Sequence, residues 1–298
     1  MLELLLKYGR GHGLGAEPGF SPKSIRWAIV CQAGGRFLDV VELGDAGQKR
    51  NPGRLFKCPN LSQPEMKAGG VTKSHFLADG AEVVALLGHK ENNPKLEAKH
   101  AYFIDLLKQA SRAAPQLAGL AQTLADPASV EAIRERLADQ GARPTDKVTF
   151  QVGGQFPLEA DDWRGWWQAF RQSLTRDKQK LSRPMLDLAT GQLVEPVKTH
   201  PKIKGLTDVG GISSGDVLIG FKQDSFWSYG LDQSWNAAVC EQSAAEYAEA
   251  LNALIRDHGK RLAGAKVVYW YKETIPPEDD PLAVLDEGSP EQEEMTAL

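Results

Sequence analysis

The chain contains few of the residues that build covalent cross-links and metal sites. Its three cysteines, Cys31, Cys58 and Cys240, are far apart and odd in number, which predicts neither a disulfide framework nor a zinc site. The six histidines are scattered without an H-E-x-x-H spacing. We therefore expect no metal site and no cofactor.

Long hydrophobic runs are also missing. No stretch of about eighteen apolar residues occurs, which argues against a membrane-spanning helix. The opening MLELLLKYGRGHG is too short and wrongly flanked for a signal peptide. The sequence therefore predicts a cytoplasmic protein without a membrane partner.

Positive charge is slightly outnumbered by negative charge and is unevenly distributed. The net charge is −4, yet nine acidic residues and no lysine or arginine occur from Glu273 onward, so residues 1–272 carry about +5. Basic residues in that part form two groups: Lys49, Arg50, Arg54, Lys57, Lys67 and Lys73, and then Arg176, Lys178, Lys180, Arg183, Lys198, Lys202 and Lys204. Two interpretations remain open, namely solvated faces or a surface that follows nucleic-acid phosphates.

The apolar periodicity predicts an α+β fold. Two β-branched runs at 24–32 and 36–43, joined by Ala-Gly-Gly, favour a hairpin, and residues 94–111 and 240–259 have helical periodicity. Helices and strands alternate without a regular β-α-β rhythm, so we expect mixed or antiparallel sheets with packed helices rather than a doubly wound Rossmann sheet. The predicted organisation is a globular region at 1–272, β-rich over 20–90, helical over 94–140 and α+β over 146–272, followed by an acidic tail or linker at 273–298.

An aromatic stripe follows residue 162 at helical spacing. Its members are Trp163, Trp166, Trp167, Phe170 and Leu174. Such a stripe is typical of a helix face buried in a core. Stacking of nucleic-acid bases on these rings is the alternative interpretation.

Two glycine-rich segments invite comparison with nucleotide-binding motifs. GRGHGLG at 9–15 follows a helix-like segment, whereas a dinucleotide fingerprint follows a strand. HPKIKGLTDVGGISSG at 200–215 lacks the lysine of a phosphate-binding loop and has Asp216 in its place, so a nucleotide triphosphatase is not expected. Its glycines and hydroxyls could still approach a polymer's phosphates, with Lys202 and Lys204 on one face of an extended segment; a tight turn between strands is the alternative.

No catalytic arrangement emerges. There is no G-x-S-x-G elbow, and the adjacent Asp161 and Asp162 would point in different directions on a helix. Asp208, Asp216 and Asp224 are isolated from one another in the sequence, whereas a metal-dependent nuclease needs clustered carboxylates. We therefore predict a protein that is not an enzyme.

The order of residues from His200 to Asn252 resembles the large subunit of the type I-C CRISPR surveillance complex, Cascade. HPKIKG is followed by SSG, F, SYG, Q, NA and a helix containing ALN. Weaker similarities occur in GFSPKSIRWAIV (19–30), KAGGVTKSHFLAD (67–79) and MLDLATGQ (185–192). The resemblance thus covers most of residues 1–271 and is most specific in its last quarter.

The resemblance implies a non-catalytic DNA-binding subunit at the 5′ end of the crRNA. Such a subunit recognises the protospacer-adjacent motif in target double-stranded DNA, helps start unwinding, and helps recruit the helicase–nuclease. Its partners would be that DNA, the crRNA and the other Cascade subunits. A structural scaffold that contacts crRNA and neighbouring subunits without reading DNA is the alternative.

The resemblance also implies which residues contact nucleic acid. The first set lies in the late segment: Lys202, Lys204, Gly210, Gly211, Ser213, Ser214, Gly215, Gln233 and Asn236. The second set comprises Gly69, Gly70, Lys73, Ser74 and His75, with Arg50 and Arg54 from the first basic group. Gln233 and Asn236 could instead satisfy buried backbone groups.

Three departures from the family pattern affect these expectations. Lys73-Ser74-His75-Phe76 replaces a usual Lys-Pro-Asn-Phe, Ile212 replaces a glutamine, and Leu231 replaces a frequent lysine. We therefore expect a motif preference that differs from that of relatives. The chain also ends before the helical C-terminal region usual in the family, which predicts either a truncated chain or a compact variant that works with a separate small subunit.

Overall fold

The computed structural model describes residues 1–45, 51–89, 93–175, 184–221, 223–231 and 233–271, together with residue 276. The helices are α1 Leu2–Gly11, α2 Gln63–Met66, α3 Ala81–Val84, α4 Pro94–Ala110, α5 Gln116–Ala125, α6 Pro127–Asp139, α7 Arg164–Thr175 and α8 Glu241–His258. The strands are β1 Phe20–Ile25, β2 Trp27–Cys31, β3 Phe37–Glu42, β4 Arg54–Pro59, β5 Asp79–Gly80, β6 Lys147–Val152, β7 Met185–Leu186, β8 Leu193–Val194, β9 Lys202–Ile203, β10 Asp216–Val217, β11 Lys260–Leu262 and β12 Ala265–Val267. The predicted α+β class is confirmed.

The chain forms two compact units. The first unit comprises Met1–Pro18 and the chain from Ser182 onward, and the second unit is Gly19–Leu181. Each unit has its own hydrophobic core. Residues 273–298, predicted to be an acidic tail or linker, lie outside the described residues apart from Pro276.

A four-stranded sheet organises the second unit. Its strand order is β3-β2-β6-β5; β2 and β6 are parallel and the other pairs are antiparallel. The pairing of β2 with β3 confirms the predicted hairpin at 24–43. Strand β2 is buried at four of its five residues, which accounts for its continuous apolar run, since a central covered strand has no solvent-facing side.

The aromatic stripe of α7 lies in the core of the second unit, as predicted. Trp163 and Trp167 are fully buried and their ring centroids lie 5.4 and 5.6 Å from that of Phe76. Each indole N–H is satisfied by a backbone carbonyl, that of Pro157 at 2.7 Å and that of Gly19 at 2.8 Å. A buried indole needs such a partner, so these rings serve packing rather than base stacking.

Helices α1 and α8 form the core of the first unit. Leu5 and Leu6 of α1 and Tyr247 and Leu254 of α8 are buried in one cluster. Helix α8 begins after Cys240, whose Sγ accepts from the Ser243 N–H at 3.3 Å. The strands of this unit are two or three residues long in the described ranges, so bonds from side chains to backbone hold much of residues 184–240.

No helix within the described ranges combines the length and the apolar character needed to cross a bilayer.

Candidate nucleic-acid interface

The lysine-rich segment forms a hairpin in the first unit. Strands β9 and β10 pair antiparallel, with Ile203 opposite Asp216 and Lys202 opposite Val217. Ile203 is buried in the core, and Lys202 and Lys204 flank it. Because side chains alternate along an extended chain, both lysines project from the face opposite Ile203.

Gly215 makes room for the two lysine stems. Its φ is +92°, and a Cβ there would lie 2.9 Å from the Ile203 carbonyl oxygen, 3.0 Å from Lys202 Cβ and 3.4 Å from Lys204 Cγ. Both stems therefore pass over this glycine side by side. The Lys202 ammonium donates to Ser214 Oγ at 3.0 Å, whereas the exposed Lys204 ammonium makes no hydrogen bond or ion pair to another described residue.

The other glycines of the hairpin differ in what surrounds them. A Cβ on Gly211 would lie 2.6 Å from both Asp216 Oδ2 and Leu206 Cβ, so this glycine allows the loop to close on itself. Gly210 is in the left-handed region at φ +92° with nothing within 4 Å of such a Cβ. The close backbone approach at Gly211 and Gly215 is thus explained by a tight turn, while Gly210 faces open space.

Both carboxylates of the hairpin have partners within the first unit. Asp216 Oδ2 accepts from the Ile212 N–H at 3.0 Å, and Asp208 accepts from the Lys266 ammonium at 2.6 Å. The hydrogen bond from Lys266 lowers the pKa of Asp208. Neither carboxylate is paired with Lys202 or Lys204.

The hairpin is fixed to α8 at both ends of β9. The buried His200 ring places Nδ1 2.8 Å from the Tyr247 hydroxyl and Nε2 3.3 Å from the Ala237 carbonyl. Burial lowers the pKa of this imidazole, which favours its neutral form. The Lys204 N–H donates to Asn252 Oδ1 at 2.7 Å, so His200 and Asn252 of the family-like segment both have structural roles.

Asn236 organises an aromatic turn. Its Oδ1 accepts from the Ser228 N–H at 3.1 Å, and its Nδ2 donates to the carbonyls of Leu231 at 2.9 Å and Gln233 at 3.1 Å. The structure therefore supports backbone satisfaction as the role of Asn236. Gln233 is exposed at φ +49°, and its contact with nucleic acid remains a prediction.

The glycine segment of the second unit has an exposed tip and a buried base. Gly69 and Gly70 are both left-handed, at φ +71° and +67°, and a Cβ added to either would have nothing within 4 Å. Lys73 and Ser74 have relative exposures of 5% and 1%. The Lys73 ammonium donates to the Ala68 carbonyl and lies 5.9 Å from the Tyr102 ring centroid, so this lysine supports the tip from beneath.

His75 lies beside a buried carboxylate. Its N–H donates to Asp79 Oδ2 at 2.9 Å, and Lys147 pairs with Asp79 Oδ1 at 3.2 Å. Burial, together with nearby ammonium groups, lowers the pKa of His75 to about 4. Nδ1 of His75 and Oγ of Ser74 are buried without a hydrogen-bond partner among the described residues. Direct contact of Lys73, Ser74 and His75 with DNA remains a prediction.

The two predicted arginines have different outcomes. Arg54 on β4 pairs with Glu159 and lies over the rings of Phe56 at 4.6 Å and Phe156 at 5.0 Å. These contacts connect it to the second unit, and its contact with nucleic acid remains a prediction. Arg50 lies outside the described residues.

Sequence reasoning missed an exposed aromatic turn. Tyr229 is 99% exposed, and Phe226 and Trp227 are 49% and 55% exposed. The sequence pattern singled out the nearby amides, Gln233 and Asn236, rather than these rings. The Tyr229-Gly230 pair could have predicted this turn, because glycine is typical of tight turns.

Fold and site together define an α+β protein with a lysine-bearing hairpin and an aromatic turn in one unit and a glycine tip in the other. In the described ranges, no group of three or more His, Cys, Asp or Glu side chains could hold a metal ion. The sequence profile described as CRISPR-associated protein (Cas_Csd1) matches residues 5–298, so the chain belongs to the Csd1 family. That family is the large subunit of type I-C CRISPR complexes, which confirms the resemblance. A comparison with curated proteins finds no match.

Proposed function

We propose that this chain is a non-catalytic large subunit that recognises the protospacer-adjacent motif in duplex DNA and helps start its unwinding. Its family membership makes it a CRISPR-associated subunit. Beyond family membership, the proposal is supported by Lys202 and Lys204, whose stems lie side by side over Gly215. Two cations whose stems lie side by side on one face of a hairpin are suited to neighbouring phosphates.

The hairpin supplies hydrogen-bond donors beside the two charges. Ser213 and Ser214 are exposed, and the Ser214 hydroxyl already orients the Lys202 ammonium. Such groups contribute binding energy without reading sequence, because phosphate contacts position a protein on the nucleic acid. The hairpin is therefore proposed as an anchor, and motif reading belongs to another segment.

The glycine tip of the second unit is the proposed motif-reading segment. Gly69 and Gly70 lack side chains and face open space, which lets a base edge approach their backbone groups. Lys73, Ser74 and His75 fix the chain beneath this tip. Motif contact by exposed backbone at the tip requires no exposed lysine, which is consistent with the burial of Lys73 and Ser74.

The proposed partners follow from this assignment. They are target double-stranded DNA, crRNA, the other Cascade subunits and the helicase–nuclease recruited after target binding. The proposed cellular location is the cytoplasm, where such a complex would meet its target.

A structural scaffold is the second candidate function. It is favoured by Asn236, whose polar atoms are committed to the chain's own backbone, and by the buried Lys73 and Ser74. In this case the hairpin lysines would contact crRNA or a neighbouring subunit. Motif-dependent binding of duplex DNA separates the two candidates.

The test is a selection from duplexes with randomised motif positions, performed with the chain assembled on its crRNA-bound partners at two salt concentrations. Lys202→Ala combined with Lys204→Ala should weaken DNA binding for all sequences alike and reduce the salt slope by up to about two, since each lost phosphate contact removes about one released counterion. Lys95→Ala combined with Lys108→Ala is the control, because it removes two exposed lysines of α4 with the same change in charge.

Enrichment of a short motif, lost on Gly69→Val or Gly70→Val, would establish the reader and locate its site. Salt-dependent binding without enrichment would support the scaffold instead. If the Lys202 and Lys204 substitutions leave affinity and salt slope unchanged, the anchoring role of the hairpin is wrong.

A further inference from the structure

Tyr229 occupies an unusual position for a large aromatic residue. The Leu231 N–H donates to the Ser228 carbonyl at 2.8 Å and closes a two-residue turn. Tyr229 and Gly230 at its centre have φ values of +53° and +68°. Such turns favour Asn-Gly or Gly-Gly, because L side chains rarely adopt the left-handed region.

The side chain gains no packing in return for this strained backbone. Tyr229 is 99% exposed, so both faces of its ring are in solvent. A strained residue persists only where its surroundings hold it, and here Asn236 does so through hydrogen bonds to Ser228 and Leu231, the two ends of the turn. The turn therefore holds the backbone of Tyr229 so that its ring projects into solvent, which indicates a function outside the chain's own fold.

The surroundings of the ring favour a nucleobase. Phe226 and Trp227, close to Tyr229 in the sequence, add half-exposed rings, and Ser225, Ser228 and Gln233 add exposed polar side chains in the same segment. Single-stranded nucleic-acid sites combine aromatic surfaces for stacking with cations that follow the backbone.

The cations are provided by the hairpin of the same unit. Asn236 is followed by Ala237, whose carbonyl contacts His200 at 3.3 Å. His200 precedes Lys202 by two residues, a distance of about 7 Å in extended chain. Asn236 thus stabilises the aromatic turn, and the contact between the next residue, Ala237, and His200 connects this turn to the lysine hairpin.

We propose that Tyr229 stacks on an unpaired nucleobase, with Phe226 and Trp227 as adjoining stacking surfaces. This inference rests on the proposed function, in which the first unit contacts nucleic acid. The base can come from single-stranded crRNA or from a DNA strand unpaired during unwinding. Both present the same π-face, which every base carries.

The test uses 2-aminopurine, whose fluorescence is quenched by stacking. The chain is assembled with crRNA-bound partners in two versions, with the label in the unpaired crRNA end or in the DNA strand displaced beside the motif. Tyr229→Asn removes the ring while placing a residue that tolerates the left-handed region. Tyr229→Phe keeps the ring, and Leu193→Ala is the control, because Leu193 is a 72% exposed apolar residue of the same unit.

Tyr229→Asn should raise the fluorescence of one labelled strand and weaken binding of that strand about 5-fold to 100-fold. Its thermal unfolding temperature should equal or exceed that of the wild type, because the strain is relieved. Tyr229→Phe should remain within about 2-fold of wild type, since the stacking surface is retained. Leu193→Ala should leave binding and fluorescence unchanged. The strand whose fluorescence responds identifies the source of the base.

Several results would overturn the inference. If Tyr229→Asn binds both strands as wild type does while Lys202→Ala with Lys204→Ala weakens binding, stacking is wrong and the anchoring role of the hairpin stands. If neither variant weakens binding, stacking and the anchoring role of the hairpin are both wrong. Weaker assembly of Tyr229→Asn with partner subunits, with fluorescence unchanged in both strands, would assign the ring to a protein contact and reject stacking.

Discussion

At the scale of single residues, Asn236 shows how a side chain suited to base recognition can be committed elsewhere. Its Oδ1 and Nδ2 atoms bond to three backbone groups of the segment 228–233. The neighbouring Gln233 has an exposed side chain. The two amide side chains are thus chemically alike, but that of Asn236 holds a turn of the backbone in place and that of Gln233 faces solvent.

Replacing Asn236 with alanine should lower the free energy of unfolding by about 1–3 kcal/mol, because three hydrogen bonds are removed and water replaces them only in part. Gln233→Ala is the matched control and should change that free energy by less than about 0.5 kcal/mol. Urea denaturation of the two variants measures the difference. Equal effects of the two substitutions would contradict the organising role of Asn236.

His75 predicts a pH dependence of stability. Burial and nearby ammonium groups lower its pKa from 6.5 to about 4, so between these values the unfolded chain binds more protons than the folded one. The free energy of unfolding should therefore fall as the pH decreases from 6.5 towards 4, by at most roughly 3 kcal/mol. The lowered pKa of Asp79 acts in the same direction below pH 3.8.

His75→Asn should reduce this dependence between pH 4 and 6.5, leaving the part that comes from the buried His200, while keeping the backbone N–H that donates to Asp79. His12→Asn, at the exposed end of α1, is the control and should retain it. Urea denaturation at several pH values gives the slopes. An unchanged slope in His75→Asn would show that another group is responsible.

At the scale of secondary-structure elements, glycines decide where α5 meets the turn between β2 and β3. A Cβ on Gly119 of α5 would lie 2.4 Å from the Gly34 carbonyl oxygen and 2.9 Å from Gly35 Cα. Thr123 of the same helix donates to the Gly35 carbonyl at 2.8 Å. The helix and the turn therefore approach each other backbone to backbone.

Gly119→Ala should destabilise the second unit by about 1–3 kcal/mol, because the added methyl group forces two rigid backbones apart. Gly165→Ala in α7 is the matched control, since that helical glycine has nothing within 4 Å of a Cβ and alanine is favoured there by about 0.5–1 kcal/mol. Thermal unfolding compares them. Stabilisation by both substitutions would contradict the close approach.

At the scale of the whole molecule, one unit combines a helix from the start of the chain with a helix from beyond residue 240. Helix α1 packs on α8 through Leu5 and Leu6, although more than two hundred residues separate the two helices. The second unit, Gly19–Leu181, lies between them in the sequence and has a core of its own.

A fragment of residues 19–181 should fold cooperatively, because its core contains only residues of that range. A fragment of residues 182–271 should not, since it lacks the α1 face that covers α8; adding residues 1–18 as a peptide should restore helicity. Circular dichroism and tryptophan fluorescence in urea measure both. Cooperative unfolding of residues 182–271 alone would show that α1 is dispensable.

Local sequence patterns determined a substantial part of this protein. Spacing at 3.6 residues identified α7, and the stripe with Trp163 and Trp167 was assigned to a core because one face of a helix must be buried. The two β-branched runs within residues 24–43 predicted the β2–β3 hairpin, because such runs joined by a short glycine-containing turn are typical of paired strands. The order of residues from His200 to Asn252 gave the family.

Only the tertiary structure decided which polar residues are accessible. Lys73 and Ser74 look like surface residues in a glycine-rich segment, but they are buried in the folded second unit. Gly119 is required by the backbone of Gly34 and Gly35, which comes from elsewhere in the fold. Periodicity and spacing describe neighbours along the chain, whereas burial and close approach depend on contacts between residues far apart in it.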